Sequence, residues 1–171
     1  PDADTVTFVR MDEGLPGSPV SCGPYGLAID HRDSLCFVAC MEGLQMRVLD
    51  IAARTIVDQF NIPVDTAGKI LAGPTLMAVS PDNDVVWITT QSGNSVVALR
   101  VSTRQIIADI SLDTPAPFGI TMSPDGTRIY VACAGQLGGS GRVYIIDGNS
   151  HAIVGSLVVG KESLGIGWRS Q

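Results

Sequence analysis

The sequence predicts an all-β chain assembled from four-stranded antiparallel units, and three observations carry that prediction. Short Val- and Ile-rich runs alternate with turn residues along the whole chain, which holds 19 Gly and 10 Pro in 171 residues. No segment shows the apolar period of about 3.6 residues expected of a helix of about ten residues or more. The chain also repeats itself: Pro24-Tyr25-Gly26-Leu27-Ala28-Ile29-Asp30, Pro74-Thr75-Leu76-Met77-Ala78-Val79-Ser80 and Pro117-Phe118-Gly119-Ile120-Thr121-Met122-Ser123 align at spacings of 50 and 43 residues. Periods of roughly 40–45 residues with four strands each are the mark of β-propeller blades.

The elements follow in a fixed order within each unit. The aligned segments are first strands, and each runs into a turn: His31-Arg32-Asp33, Pro81-Asp82-Asn83 or Pro124-Asp125-Gly126. Asp30, Asp82 and Asp125 fall in these turns, where a short carboxylate caps its own backbone. Second strands carry one aromatic at a constant position, in Phe37-Val38-Ala39-Cys40, Trp87-Ile88-Thr89-Thr90 and Tyr130-Val131-Ala132-Cys133. A repeated aromatic of this kind is core packing. Third strands read Arg47-Val48-Leu49-Asp50, Val97-Ala98-Leu99-Arg100 and Tyr144-Ile145-Ile146-Asp147, and fourth strands Thr55-Ile56-Val57, Gln105-Ile106-Ile107 and Ala152-Ile153-Val154. Strands apolar on both faces need cover on both faces, which stacked units supply and a single unit cannot.

The two ends are out of phase with the unit. Thr5–Arg10 aligns with a third strand, Ser18–Ser21 serves as a fourth, and Ser163–Gly167 aligns with a first strand. The expected organisation is therefore one partial propeller. Residues 1–23 are the outer strands of a preceding blade, 24–73, 74–116 and 117–162 are three complete blades, and 163–171 begin a next blade. Propellers close with about 4–8 blades, so another chain or further blades are expected to complete the ring. Alone, these 171 residues would expose an apolar blade face and are not expected to form a stable monomer.

Composition narrows the function classes. With 45% hydrophobic and 16% charged residues the chain is not a disordered segment. Its 11 Lys and Arg against 17 Asp and Glu, a net charge of −6, argue against a nucleic-acid partner. No apolar stretch approaches the roughly 18 residues of a membrane span, and no basic, apolar leader is visible at the start. Cys22, Cys36, Cys40 and Cys133 show no metal-ligand spacing. Buried free thiols are the simpler reading and a disulfide or reactive pair the alternative, so their redox state stays open.

The pattern Pro-x-Gly-Ile-x-x-Ser-Pro-Asp-Gly, then Ile-Tyr-Val-Ala, then Val-x-Ile-Ile-Asp, resembles the YVTN-type β-propeller repeat. Residues 117–160 match it best, with Ser123-Pro124-Asp125-Gly126 and Tyr130-Val131-Ala132-Cys133 in the signature positions; 74–112 match well. Residues 24–62 depart from it, because Asp30-His31-Arg32-Asp33 replaces Ser-Pro-Asp-Gly. The family includes dehydrogenase subunits, lactonase-like enzymes, haem d1 domains and surface-layer proteins, so the resemblance implies a fold and leaves ligand and cofactor unknown. It also implies an extracytoplasmic location.

The same resemblance implies a ligand face formed by the fourth-to-first and second-to-third strand connections: Pro63–Gly73, Met41–Met46, Gln91–Ser95, Asp113–Ala116, Ala134–Gly141 and Gly160–Ser163. Asp65, Lys69, Gln91, Asp113, Gln136 and Glu162 are its candidate residues. The glycine-rich run Gly135–Gly141 lacks the lysine and the following helix of a phosphate loop and reads as a surface loop. Asp65, Asp113 and Glu162 could approach one another, yet three loop carboxylates fall short of a hard-cation site and read as solvated charges. His31 and His151 sit in turns away from this face, and no nucleophile, histidine and acid fall into a triad spacing. The expected role is a non-catalytic scaffold or interaction module within a larger or oligomeric propeller. The alternative is a lactonase-like or dehydrogenase-subunit enzyme with its site at the channel mouth.

Overall fold

The computed structural model describes residues 23–41, 44–62, 73–137 and 139–168. Twelve strands and no helix occur among them, grouped into three sheets. Blade I holds β1 (Pro24–Ile29), β2 (Leu35–Cys40), β3 (Gln45–Asp50) and β4 (Thr55–Asn61). Blade II holds β5 (Pro74–Val79), β6 (Val85–Thr90), β7 (Ser95–Arg100) and β8 (Gln105–Ser111), and blade III β9 (Pro117–Met122), β10 (Arg128–Cys133), β11 (Arg142–Asp147) and β12 (Ile153–Val158). Every sheet is an antiparallel meander in chain order. The inner strands β1, β5 and β9 pack side by side.

The first-to-second turns show how different residues build one conformation. In blade III the Ser123 hydroxyl donates to Asp125 Oδ1 (2.6 Å) and accepts from Arg128 N–H (3.0 Å), while Thr127 N–H donates to the same carboxylate (3.0 Å). Ser80 and Asp82 repeat this in blade II. In blade I, Asp30 alone does the work of the pair, accepting from Ser34 N–H (2.7 Å), Leu35 N–H (2.9 Å) and the Ser34 hydroxyl (2.8 Å). The divergent Asp30-His31-Arg32-Asp33 therefore folds as the same turn, with Asp33 in the left-handed region at φ 52°, as Asn83 is at 63° and Gly126 at 72°.

These carboxylates also make the fold acid-sensitive. The Ser123 hydroxyl, then the Thr127 N–H, hold Asp125 down to about 2 from an ordinary 3.8. The Ser80 hydroxyl and the Asp84 N–H lower Asp82, and the Ser150 and Asn149 N–H groups lower Asp147. At Asp30 burial pulls upward but is outweighed by the Leu35 N–H and the Ser34 hydroxyl and N–H. Each group is more acidic folded than unfolded, so its contribution is complete above the unfolded value and is lost as pH falls through the folded one. The melting temperature is expected to be flat near neutrality and to drop between 3.8 and about 2, with Asp125 titrating near 2 by carboxyl NMR. An Asp125 midpoint at the ordinary value would refute this.

Blades join through two apolar cores. Phe37, Ala39, Met46 and Val48 of blade I pack on Met77, Val79, Val86, Ile88, Val97 and Leu99 of blade II. The other faces of β6 and β7 give Trp87, Val96 and Ala98 to a core with Ile120, Ile129, Val131, Cys133, Tyr144 and Ile146 of blade III. The repeated aromatics behave as expected: Phe37 and Trp87 are buried, each facing the following blade, and Tyr130 lies against Trp168 with ring centroids 5.9 Å apart.

Close approach of inner strands depends on glycine at one position. A Cβ on Gly26 of β1 would overlap the Thr75 carbonyl oxygen of β5. A Cβ on Gly119 of β9 would lie 2.9 Å from Ile166 N and 3.0 Å from Leu164 O. Residues 163–168 thus lie against β9 as β5 lies against β1, although no ladder pairs them with another strand among the described residues. Blade II has Leu76 at this position, packed toward blade III. There the buried Thr89 hydroxyl bridges instead, donating to Phe118 O (2.8 Å) and accepting from Leu76 N–H (3.1 Å) at the β5 bulge. The outer-strand segments read at 5–10 and 18–21 lie outside the described residues.

The third-to-fourth turns of blades II and III clasp the preceding blade. Arg54, Arg104 and His151 are equivalent and all left-handed, at φ 57°, 57° and 60°. Arg104 pairs with Asp58 of blade I at 2.5 Å and lies 5.3 Å over the Phe60 ring, while His151 meets Trp87 of blade II edge-on at 5.3 Å. The ion pair is half-exposed and contributes at most about 1 kcal/mol.

Candidate functional site

The row of inner strands has two unlike ends. At the loop mouth the fourth-to-first and second-to-third connections are stitched together by backbone bonds: Ile62 N–H to Leu44 O (2.8 Å), Gln91 N–H to Gly73 O (2.9 Å), Leu112 N–H to Asn94 O (2.9 Å), Ala134 N–H to Ala116 O (2.9 Å) and Gly141 N–H to Gly160 O (3.0 Å). At the other end, the turn mouth, the first-to-second turns meet.

Gln91, Asp113, Gln136 and Glu162 all lie at the loop mouth, and Asp65 and Lys69 lie outside the described residues. Gln91 is half-buried and the other three are exposed. Asp113 receives a hydrogen bond from the Tyr144 hydroxyl, which also lies 2.9 Å from Thr114 Oγ1 and accepts from Thr114 N–H (3.1 Å). Tyr144 itself is buried in the blade II–III core, so Asp113 fixes a loop to that core. Gln136 O accepts from Gly139 N–H (2.8 Å) inside its own loop, and Glu162 is left-handed at φ 55°. No hydrogen bond among those observed joins these four side chains to one another, and no group of three His, Cys, Asp or Glu residues able to hold a metal occurs among the described residues.

The cysteines divide. Cys40, read more simply as a buried thiol, is disulfide-bonded, whereas Cys36 and Cys133 carry free thiols. The choice depends on which cysteines the fold brings within bonding distance, and strand text does not record that. Burial, and then the nearby Asp113 carboxylate, push the Cys133 thiol up to about 12, which leaves it protonated and unreactive. Burial also raises Cys36.

The turn mouth holds what the sequence did not reveal: a cavity of about 370 Å³ between the ends of β1, β5 and β9. Its walls include Met77, Ile120, Met122, Thr121, His31 and Trp168. His31 donates from its backbone N–H to Asn83 Oδ1 (2.7 Å), and its Nε2 lies 3.2 Å from the Val79 carbonyl of the next blade. At the opposite end of the inner strands the Tyr25 and Phe118 rings meet with centroids 6.1 Å apart. The one available signal was that His31 stands where the other two units have proline, Pro81 and Pro124.

Neither a family model nor a curated protein sequence matches the chain. Solved structures do. A hydrazine synthase from Kuenenia stuttgartiensis superposes at TM-score 0.70 and 22% identity, over 88% of this chain and 41% of that one. The WD40 repeats of RRP9 superpose at 0.65 and 13%, over 78% and 38%. The fold is a β-propeller. A virginiamycin B lyase from Staphylococcus aureus adds a third match, at 0.61 and 19%, over 84% and 43%. At such identities the likeness concerns architecture alone, and the chain spans about two fifths of the length of each of these propellers. No helix among the described residues is long and apolar enough to cross a membrane.

Proposed function

We propose that this chain is a segment of a larger β-propeller that acts as a non-catalytic scaffold or protein-interaction module, its ring completed by further blades. The observation that carries this is a contrast at one repeated face. Met77 and Ile120 are 7% exposed where β5 and β9 turn toward the preceding blade, while the equivalent Leu27 of β1 is 63% exposed. Ile29 is likewise 48% exposed against 6% for Val79. Inner-strand positions that the repeat buries against a neighbour stand open in blade I, and a further propeller strand is the occupant with the matching shape. Arg54 extends this to the rim. It is exposed, and its equivalent Arg104 pairs with an outer-strand carboxylate, so the covering blade presents an acidic or aromatic group there.

The disulfide at Cys40 supports the extracytoplasmic, YVTN-like reading, since such bonds persist in oxidising compartments. The scaffold reading is preferred over an enzyme because the loop-mouth candidates are tied to backbone and core rather than to one another. Native and denaturing mass measured side by side test the proposal. A native multiple of the single-chain mass, or a longer covalent chain, supports completion of the ring by other blades. A monodisperse single chain of 171 residues that melts cooperatively overturns it. Loss of an enzymatic activity on replacing Lys69 or Gln136, with assembly intact, would replace the scaffold by a propeller enzyme.

A further inference from the structure

We propose that the cavity at the turn mouth binds a small, uncharged, planar aromatic molecule bearing one hydrogen-bond donor, of the phenol or indole class. Its volume of about 370 Å³ falls in the range of small-molecule pockets. Among the described residues no Asp, Glu, Lys or Arg lines it, so a charged ligand would lose its hydration with no opposite charge from these walls to meet it. Met77 and Met122 supply polarizable thioethers, which pack well against aromatic faces. Trp168 adds an aromatic surface: it is 48% exposed and its ring is backed by Tyr130 at 5.9 Å.

His31 supplies the specificity. The two equivalent turns use proline, whose preset φ suits the position. Histidine gives up that advantage and places an imidazole on the cavity wall. Its ring position is fixed, because Nε2 lies 3.2 Å from the Val79 carbonyl oxygen. A carbonyl only accepts, so Nε2 is the donor nitrogen in this contact, and the tautomer that donates there leaves Nδ1 as an acceptor for a ligand O–H or N–H. An imidazole in a turn whose counterparts hold proline, beside a cavity with no charged wall among the described residues, is what a ligand site grafted on a repeat scaffold requires.

Calorimetric titration of 2-naphthol into the folded, assembled protein tests this. Saturable one-site binding is expected. His31→Pro restores the residue the other turns use but gives up the backbone N–H bond to Asn83 Oδ1, so the melt should fall only slightly while affinity falls about fivefold, the loss of one ligand hydrogen bond. Trp168→Ala should weaken binding about tenfold. Gln136→Ala, at the opposite mouth, should leave it unchanged, and 2-naphthalenesulfonate should bind more weakly than 2-naphthol. Absence of saturable binding overturns the proposal. So does equal affinity in wild type, His31→Pro and Trp168→Ala, or equal affinity for the sulfonate. The walls other than Trp168 belong to the three described blades, so absent binding in a protein of ring-sized native mass sinks this proposal alone, and a single-chain native mass sinks the ring reading alone.

Discussion

Replacing Trp87 with alanine is expected to produce the largest loss of stability of any single change at the blade junctions. The indole is 2% exposed and sits between blade II and blade III, with Val96, Ala98, Ile129 and Val131 in the same core and His151 against its edge. Its removal takes away a large apolar surface and leaves a void that strands on both sides cannot collapse into without breaking their ladders. Truncations of this kind cost about 3–5 kcal/mol. For a domain of this size that corresponds to a fall in melting temperature of roughly 10 °C or more. Trp87→Phe should cost clearly less, since Phe37 fills the equivalent place at the other junction. A thermal melt followed by circular dichroism decides it; a shift of only a few degrees would mean that blades II and III are not packed at this point.

Gly26→Ala is the second. Gly26 is not at positive φ, so the cost is purely one of space. The new methyl would occupy the site of the Thr75 carbonyl, which is backbone and cannot rotate aside. β1 must then move off β5, loosening the inner packing of blades I and II, at a cost of about 1–3 kcal/mol or above. Gly155→Ala is the control, because its nearest neighbour would be 3.7 Å away and the substitution should be neutral. The midpoint of chemical denaturation should fall for the first and hold for the second. Equal midpoints would show that β1 and β5 are not in contact.

What the sequence disclosed, and what it withheld, follow one physical line. All twelve described strands fall where the repeat placed them, because ladder pairing here joins segments adjacent in the chain and leaves its pattern in local text. The turn at Asp30 was legible for the same reason, even with different residues. Contacts between blades left no such trace. Nothing in the run around Tyr144 announces a bond to Asp113, since the two are 31 residues apart and meet only through packing. The cavity beside His31 is made by strand ends about 45 residues distant from one another, so the proline-to-histidine change could be seen but its surroundings could not. The disulfide state of Cys40 stayed open in the sequence because its partnering depends on contacts made only in space, and Asp65 and Lys69 stay expectations.

The consecutive meander also sets how the molecule opens and closes in time. Each ladder links a strand to the next one in the chain, so the loops that must close are short, and a blade can zip up from its own turns before it meets a neighbour. Such a chain builds outward from any nucleated blade, as other linear arrays do. Opening runs in reverse. The edge strand β12, exposed along most of its length, is the first to lose its ladder, while Val96–Leu99 of β7, sealed on both faces, are the last. Deuterium uptake should therefore travel as a front from the outer edge toward the middle blade, and the amides of β7 should exchange only when the whole structure comes apart.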